Sequence, residues 1–214
     1  MIVNERVVSY INSLDRGNSD ICNIIEKEAI EDQVPIIRKE MGNLLKVLLK
    51  LKQPKSILEV GTAVGYSSIL MSENMPVDCK IVTIENYDKR IPIARNNIKR
   101  AGKEDCIQLI EGDAMEVLKE LEGPFDFIFM DAAKGQYLNW LPMVLDLMPK
   151  GAVLISDNVL QDGDIIQSRF AVERRNRTIH SRMREYLYEL KHTEELETSV
   201  IPIGDGVTVS TKVR

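Results

Sequence analysis

The fold is indicated by the stretch Ile57-Leu58-Glu59-Val60-Gly61-Thr62-Ala63-Val64-Gly65, in which a short apolar run passes into a glycine turn. A helical pattern follows directly, over residues 66–75. Glycines let the backbone approach a ligand closely, and open α/β sheets bind ligands at the carboxyl ends of their strands. The stretch therefore predicts a strand, a turn and a helix, with a nucleotide site at the turn. A tight strand-to-helix connection without a ligand is the alternative.

β-rich runs alternate with helical patterns on the C-terminal side of this turn. The runs are Ser56–Val60, Lys80–Glu85, Cys106–Glu111, Phe125–Asp131 and Ala152–Asp157. This alternation predicts a doubly wound α/β sheet with parallel strands. At the C-terminus, two further β-rich runs, 199–203 and 207–213, flank Gly204-Asp205-Gly206, which predicts an antiparallel hairpin.

Helical patterns occupy the chain before residue 56. Two short amphipathic helices are expected over 7–14 and 21–30, and a third is expected to begin at Val34-Pro35, because proline is tolerated in the first turn. We expect one domain over residues 1–214, with residues 1–52 as a helical extension packed on it.

Composition excludes several classes of protein. Of 214 residues, 44% are apolar and 29% charged, a balance typical of a folded globular protein. No apolar run approaches the roughly 20 residues that cross a bilayer, and the polar N-terminus is unlike a signal peptide, so no membrane contact and a cytoplasmic location are expected. Three widely spaced cysteines predict neither a disulfide framework nor a cysteine zinc site.

The residues around the glycine turn distinguish between nucleotides. Glu85 ends the second β-rich run, 24 residues after Gly61, where an acid can accept the hydroxyls of a ribose. The spacing Gly61-x-x-x-Gly65 differs from the G-x-G-x-x-G of dinucleotide sites. Glu59 would repel a pyrophosphate and attract an ammonium or sulfonium group, which favours S-adenosylmethionine over NAD. Asp113, after the third run, is expected either to meet the adenine amino group or to cap the next helix.

Oxygen ligands follow the next two β-rich runs. Asp131 ends the fourth run, and Asp157 and Asn158 end the fifth. Two carboxylates and an amide, without histidine or cysteine, suit Mg²⁺, whereas either carboxylate alone is more often a cap or a turn residue. Lys134 lies three residues after Asp131. Near a cation and a sulfonium, an amine is pushed toward its neutral form and can accept a proton; a solvated surface lysine is the alternative.

These motifs resemble the metal-dependent O-methyltransferases, a family that includes catechol and caffeoyl-CoA O-methyltransferases and many bacterial relatives. The resemblance covers about residues 35–214 and is carried by Glu59-Val-Gly61-x-x-x-Gly65-Tyr66-Ser67, Glu85, Gly112-Asp113-Ala114, Asp131-x-x-Lys134 and Asp157-Asn158. It implies a Rossmann-like sheet of seven strands, parallel except for the last, and a homodimer, which is common in the family.

The resemblance also implies a role for each motif. The implied S-adenosylmethionine site comprises Glu59, Gly61, Ala63, Gly65, Ser67, Glu85, Asp113, Ala114 and Asp131. Mg²⁺, or Mn²⁺ according to availability, is implied at Asp131, Asp157 and Asn158. Lys134 is implied as the catalytic base. A substrate with two neighbouring oxygens would be oriented by such a metal, as a catechol or 5-hydroxyuracil would be.

A basic segment near the C-terminus bears on the substrate. From Arg169 to Lys191, seven Arg and Lys residues stand against three Glu, although the whole chain has a net charge of −5. Arginines contact phosphates, and aromatic side chains and guanidinium planes stack on unpaired bases. The residues predicted to bind RNA are Arg169, Arg174, Arg175, Arg177, Arg182 and Arg184. A solvated helix face that forms salt bridges is the alternative.

Within the family, residues 175–186 resemble the same segment of the bacterial tRNA 5-hydroxyuridine methyltransferases. This resemblance implies that the substrate is a tRNA anticodon loop, in which wobble 5-hydroxyuridine becomes 5-methoxyuridine; an unpaired base can enter a pocket without melting a helix. Three alternatives stay open: an enzyme for catechols or hydroxycinnamoyl-CoA thioesters, a non-catalytic RNA-binding protein, and a nicotinamide dehydrogenase, which the glycine spacing opposes.

Overall fold

A single seven-stranded sheet forms the centre of the computed structural model, which describes residues 2–214. Its strands are β1 (Ser56–Val60), β2 (Lys80–Glu85), β3 (Ile107–Glu111), β4 (Phe127–Met130), β5 (Val153–Ser156), β6 (Leu196–Ile201) and β7 (Val207–Lys212). They are arranged in the order β3-β2-β1-β4-β5-β7-β6. Strands β1 to β5 are parallel, and β7 is antiparallel to both β5 and β6. The predicted parallel sheet with a C-terminal hairpin is confirmed.

Eight α-helices surround this sheet within the described residues. They are α1 (Glu5–Ser13), α2 (Asp20–Glu31), α3 (Lys39–Lys52), α4 (Tyr66–Asn74), α5 (Ile91–Arg100), α6 (Ala114–Glu120), α7 (Tyr137–Leu147) and α8 (Arg177–His192). Successive strand residues point to opposite faces, so Ile57 packs with α2–α5 and Leu58 packs with α6–α8. The strands are buried on both faces, which explains why their sequences are nearly continuous apolar runs.

The order of the strands reverses between β1 and β4, and this places the site. Val60 of β1 pairs with Met130 of β4, so the residues that follow each of them leave the sheet side by side. Those residues are Gly61 and Asp131. Ligands of open α/β sheets bind at such a switch point, at the carboxyl edge.

The N-terminal part differs from the prediction in one element. Helices α1 and α2 lie close to the expected positions, but α3 begins at Lys39, so the prediction of a helix start at Val34-Pro35 is wrong. Ile37 is buried in the same core that the helix contacts, and a buried residue in an extended segment adds to an apolar pattern as a helical one does. Among residues 2–214, no helix has the length and apolarity that crossing a membrane requires.

Candidate active site

A cleft opens at the carboxyl edge of the sheet, beside the switch point. It consists of two adjoining cavities of about 540 and 450 Å³, which share the side chains or backbone of Gly61, Glu85 and Ala133. These volumes lie in the range of small-molecule sites. The predicted site residues that line the cleft are Gly61, Ala63, Glu85, Asp113, Ala114, Asp131, Lys134, Asp157 and Asn158.

The glycine turn lies against the chain that leaves β4. Gly61 has a φ of +107°, and a Cβ atom there would overlap the carbonyl oxygen of Asp131. Its N–H donates to the Ile84 carbonyl at 3.0 Å, which ties the turn to the end of β2. Only glycine satisfies both the conformation and the close approach.

Glu85 braces the same turn from the end of β2. Its carboxylate accepts hydrogen bonds from the N–H of Ala63 at 2.7 Å and from those of Asn86 and Tyr87 at 3.0 Å. The side chain is buried and borders both cavities. Backbone donors therefore hold an acceptor at the position predicted to meet the ribose.

Three predicted cofactor contacts, Glu59, Gly65 and Ser67, do not line either cavity. Glu59 is fully buried, accepts a hydrogen bond from the Ser67 hydroxyl at 2.5 Å, and accepts others from the hydroxyls of Ser68 and Thr83. Burial raises the pKa of Glu59 to about 7, and the three hydroxyl donors oppose that rise. In this arrangement Glu59 fastens α4 and β2 to β1 beneath the turn.

The second cavity is bordered by the N-terminus of α6. Asp113 caps this helix by accepting a hydrogen bond from the Met115 N–H at 2.8 Å, so the capping role considered from the sequence is present. Trp140 lines the same cavity and was not predicted. Its indole N–H is buried and has no hydrogen-bond partner among the described residues. The only signal was that the chain contains a single tryptophan.

Asp131 and Asp157 lie next to each other because β4 and β5 are neighbours. Met130 pairs with Ser156, and each aspartate is the residue that follows. Burial, and then the Asp131 charge, raise the pKa of Asp157 to about 7. Burial also raises the pKa of Asp131, opposed by the Lys134 ammonium. Asp157 is buried and Asp131 is half-buried, and two carboxylates that repel each other are a donor set that fits a hard divalent cation.

Asn158 supplies the amide of the predicted metal set. Its N–H donates to the Asp157 carboxylate at 2.7 Å, and its own φ is +58°. Within residues 2–214, no three His, Cys, Asp or Glu side chains gather closely enough to bind a metal. Asn158 lines the same cavity as the two aspartates and could supply an amide oxygen to a cation there.

Tyr137 holds both strand ends and was missed by the sequence analysis. Its buried hydroxyl lies 3.1 Å from the Ala132 N–H and 3.1 Å from the Met130 carbonyl, and 3.4 Å from the Asp157 carbonyl. One phenol thus fixes the chain after β4 relative to the chain after β5. A tyrosine six residues after Asp131 was the available signal.

The hairpin turn supplies a further carboxylate, which the sequence predicted only as part of a turn. Asp205 lines the larger cavity, 2.6 Å from the Arg38 guanidinium and 3.5 Å from the Asn158 amide nitrogen. Arg38 belongs to the extended segment 35–38, which forms one wall of the cavity. The ion pair therefore joins the N-terminal segment to the hairpin across the cleft.

The predicted RNA-binding arginines divide into three groups. Three of them donate to backbone carbonyls of this chain at 2.8–3.2 Å. Arg177 donates to Phe170 and Val172, Arg182 donates to Gly135, and Arg184 donates to Ile165. Arg175 pairs with Glu173 at 2.7 Å. The side chains of Arg169 and Arg174 are exposed, and no hydrogen bond or ion pair joins these side chains to other described residues. Carbonyl contacts do not neutralise a guanidinium, so the segment keeps its positive charge.

Comparison with known proteins identifies relatives of this chain. The sequence profile of the O-methyltransferase family matches residues 19–213. A catechol O-methyltransferase of Niastella koreensis is 34% identical over 168 residues, which cover 76% of each chain. A caffeoyl-CoA O-methyltransferase of Medicago sativa is 33% identical over 187 residues, 81% of this chain and 73% of the relative. The structure of the O-methyltransferase TomG of Streptomyces achromogenes, in complex with S-adenosylmethionine, superimposes over all of both chains with a TM-score of 0.86 and 26% identity.

Proposed function

We propose that this chain, which belongs to the O-methyltransferase family of S-adenosylmethionine-dependent enzymes, methylates one of two adjacent oxygens on an aromatic ring with the help of a divalent cation. One observation carries the proposal: the glycine turn and Glu85 line the same cleft as the neighbouring carboxylates of Asp131 and Asp157. A methyl donor and a metal-oriented acceptor can therefore meet in one place.

Each part of the cleft has a distinct task. Glu85 would hold the ribose of the methyl donor, and the Gly61 turn would let the backbone approach it. Asp131, Asp157 and Asn158 would hold the cation, which when bound lowers the pKa of a hydroxyl group that it contacts. Lys134 would take the hydroxyl proton. The new O–C bond forms as the C–S bond breaks, and neutral S-adenosylhomocysteine leaves, so the main task of the protein is alignment.

The substrate class best supported is a small molecule with neighbouring hydroxyls. The relatives named above are catechol and caffeoyl-CoA O-methyltransferases, and they match three quarters or more of this chain. The larger cavity has room for a phenolic ring beside the cofactor region. Catechols and hydroxycinnamoyl-CoA thioesters are therefore the first candidate substrates.

A second candidate is 5-hydroxyuridine in a tRNA anticodon loop, with 5-methoxyuridine as the product. Its hydroxyl and the neighbouring carbonyl offer the same pair of oxygens. The observation that favours it is the surface of residues 166–175, where Arg169 and Arg174 are exposed and Phe170, the residue after Arg169, is itself 81% exposed. Exposed cations beside an exposed aromatic ring suit phosphates and an unpaired base.

One assay compares these substrates. Purified protein is incubated with S-adenosylmethionine and Mg²⁺, then with EDTA instead of Mg²⁺, and given catechol, caffeoyl-CoA or tRNA that carries 5-hydroxyuridine. Mass spectrometry of the products identifies the methylated species. Metal-dependent methylation of any of the three supports the proposed chemistry, whereas undiminished product in EDTA contradicts the role of the cation, and no product from any contradicts the proposed acceptor.

Charge reversal distinguishes the two substrate classes. The double variant Arg169→Glu/Arg174→Glu should lose methylation of tRNA and retain that of catechol if RNA binds at this surface. Lys50→Glu/Lys99→Glu is the matched control, with the same change in charge at the C-terminal ends of α3 and α5, which lead into the opposite edge of the sheet. An equal loss of tRNA methylation in the two double variants contradicts a specific RNA-binding surface at residues 166–175.

A further inference from the structure

Helix α8 contacts the turn that carries Lys134. The Arg182 guanidinium donates a hydrogen bond to the Gly135 carbonyl at 2.8 Å. Ile179, three residues earlier on the same face of the helix, lies against Gly135, and a Cβ added to this glycine would be 3.7 Å from the Ile179 Cγ1 atom. Gly135 is the residue next to Lys134, so α8 bonds the backbone of the residue that follows the lysine and places a second side chain beside it.

The turn has few other restraints. Residues Lys134–Gln136 form a single 3₁₀ turn without a side-chain cap, and hydrogen bonds in such short turns have poor geometry. Tyr137 holds the chain on one side of the turn and β4 holds it on the other. Between them, Gly135 has no side chain that could be packed, so the backbone itself must be held. A hydrogen bond from a charged donor is stronger than a neutral one and is suited to this task.

We infer that Arg182 is a positioning residue for the methyl transfer, acting by fixing the turn from which Lys134 reaches into the cleft. The inference rests on the proposed function, in which Lys134 accepts the hydroxyl proton. It also assigns Arg182 a different role from the RNA contact predicted from the sequence: this guanidinium is half-buried and is directed at the chain's own backbone.

The expected effect follows from the geometry of proton transfer. An acceptor must lie within hydrogen-bond reach of the proton that it takes, and displacing a reacting group by about 1 Å can lower the rate on the order of 100-fold. Arg182→Met removes the donor but retains the apolar stem of the side chain. We expect kcat to fall on the order of 10- to 100-fold, while KM for the acceptor and the affinity for S-adenosylmethionine stay within about twofold.

The experiment compares Arg182→Met, Lys134→Ala and the double variant, with the substrate that the wild-type enzyme methylates in the assay above. Lys191→Met is the matched control, because Lys191 is another cation on α8 that donates to a backbone carbonyl, that of Thr198, at 2.6 Å. Thermal unfolding and calorimetric binding of S-adenosylmethionine confirm that each variant is folded. Arg182→Lys, which keeps a charged donor, should recover part of the lost kcat.

The double variant decides the question. If Arg182 acts through Lys134, adding Arg182→Met to Lys134→Ala should produce no further loss of kcat, because the lysine that the turn positions is already absent. Multiplicative losses, or a loss as large in Lys191→Met, would overturn the inference while the proposed function stands. If Lys134→Ala alone leaves kcat unchanged, the proposed base role fails, and the inference about Arg182 fails with it.

Discussion

Glu59→Gln should change how the stability of the protein depends on pH. The ordinary pKa of a glutamate is 4.5, and burial raises that of Glu59 to about 7 in the folded protein. The folded state therefore holds this proton more tightly than the unfolded state. The resulting contribution to stability is fully present below pH 4.5, is lost as the pH rises, and is absent above about pH 7.

The magnitude follows from linkage. One pKa unit corresponds to about 1.4 kcal/mol, so the two pKa values imply a total change of about 3 kcal/mol. Between pH 5 and pH 8, the range in which the protein can be handled, about 2.5 kcal/mol of this change should be observed. Glutamine has a similar shape but does not titrate. The free energy of unfolding of the variant, minus that of wild type, should therefore rise by about 2.5 kcal/mol as the pH is raised from 5 to 8.

Urea unfolding at pH 5 and pH 8, without cofactor, measures this difference. The wild-type free energy of unfolding also contains contributions from other carboxylates, so the quantity compared is variant minus wild type at each pH. Glu116→Gln, at an exposed side chain, is the control and should show the same difference at both pH values. If Glu59→Gln behaves like this control, Glu59 does not occupy a buried site that excludes water, and the position assigned to it beneath the turn is wrong.

Two further substitutions test the geometry of the cleft. Tyr137→Phe leaves the Ala132 N–H without its partner and should lower the free energy of urea unfolding by about 1–3 kcal/mol, and it should also lower kcat. If the free energy of unfolding and kcat are both unchanged, the phenol does not hold the strand ends. Gly61→Ala forces a Cβ atom into the Asp131 carbonyl and should weaken calorimetric binding of S-adenosylmethionine at least about 10-fold. Gly102→Ala, at a glycine that also has positive φ but open space around it, should leave that affinity unchanged.

Several parts of the site follow from the sequence because parallel strands end at a common edge. Asp131 and Asp157 each end a predicted β-rich run, and two adjacent parallel strands necessarily bring such residues together. The same reasoning brings Gly61 and Glu85 to the cleft, since β1 and β2 are neighbours. Periodicity and residue order are sufficient for these predictions, because they concern only the edge at which a residue lies.

The direction of a side chain was decided only by the tertiary structure. Glu59 occupies the strand predicted for it, yet it points beneath the turn toward three hydroxyls. Arg182 lies in the predicted basic segment, yet it donates to a backbone carbonyl far along the chain. Asp205 reaches the cleft from a hairpin turn, and Tyr137 holds the ends of β4 and β5 from the start of a helix. No spacing rule places either residue there.

The physical reason is that spacing along the chain encodes local geometry, whereas the partner of a polar side chain depends on what packs against it. The sequence by itself determined the mostly parallel sheet with its C-terminal hairpin, the edge of the sheet at which the candidate site lies, and the family to which the chemistry belongs. Only the folded chain decided which charges face the cleft and which are directed into the protein, because an arginine or a glutamate finds its partner across contacts between residues that are distant in sequence.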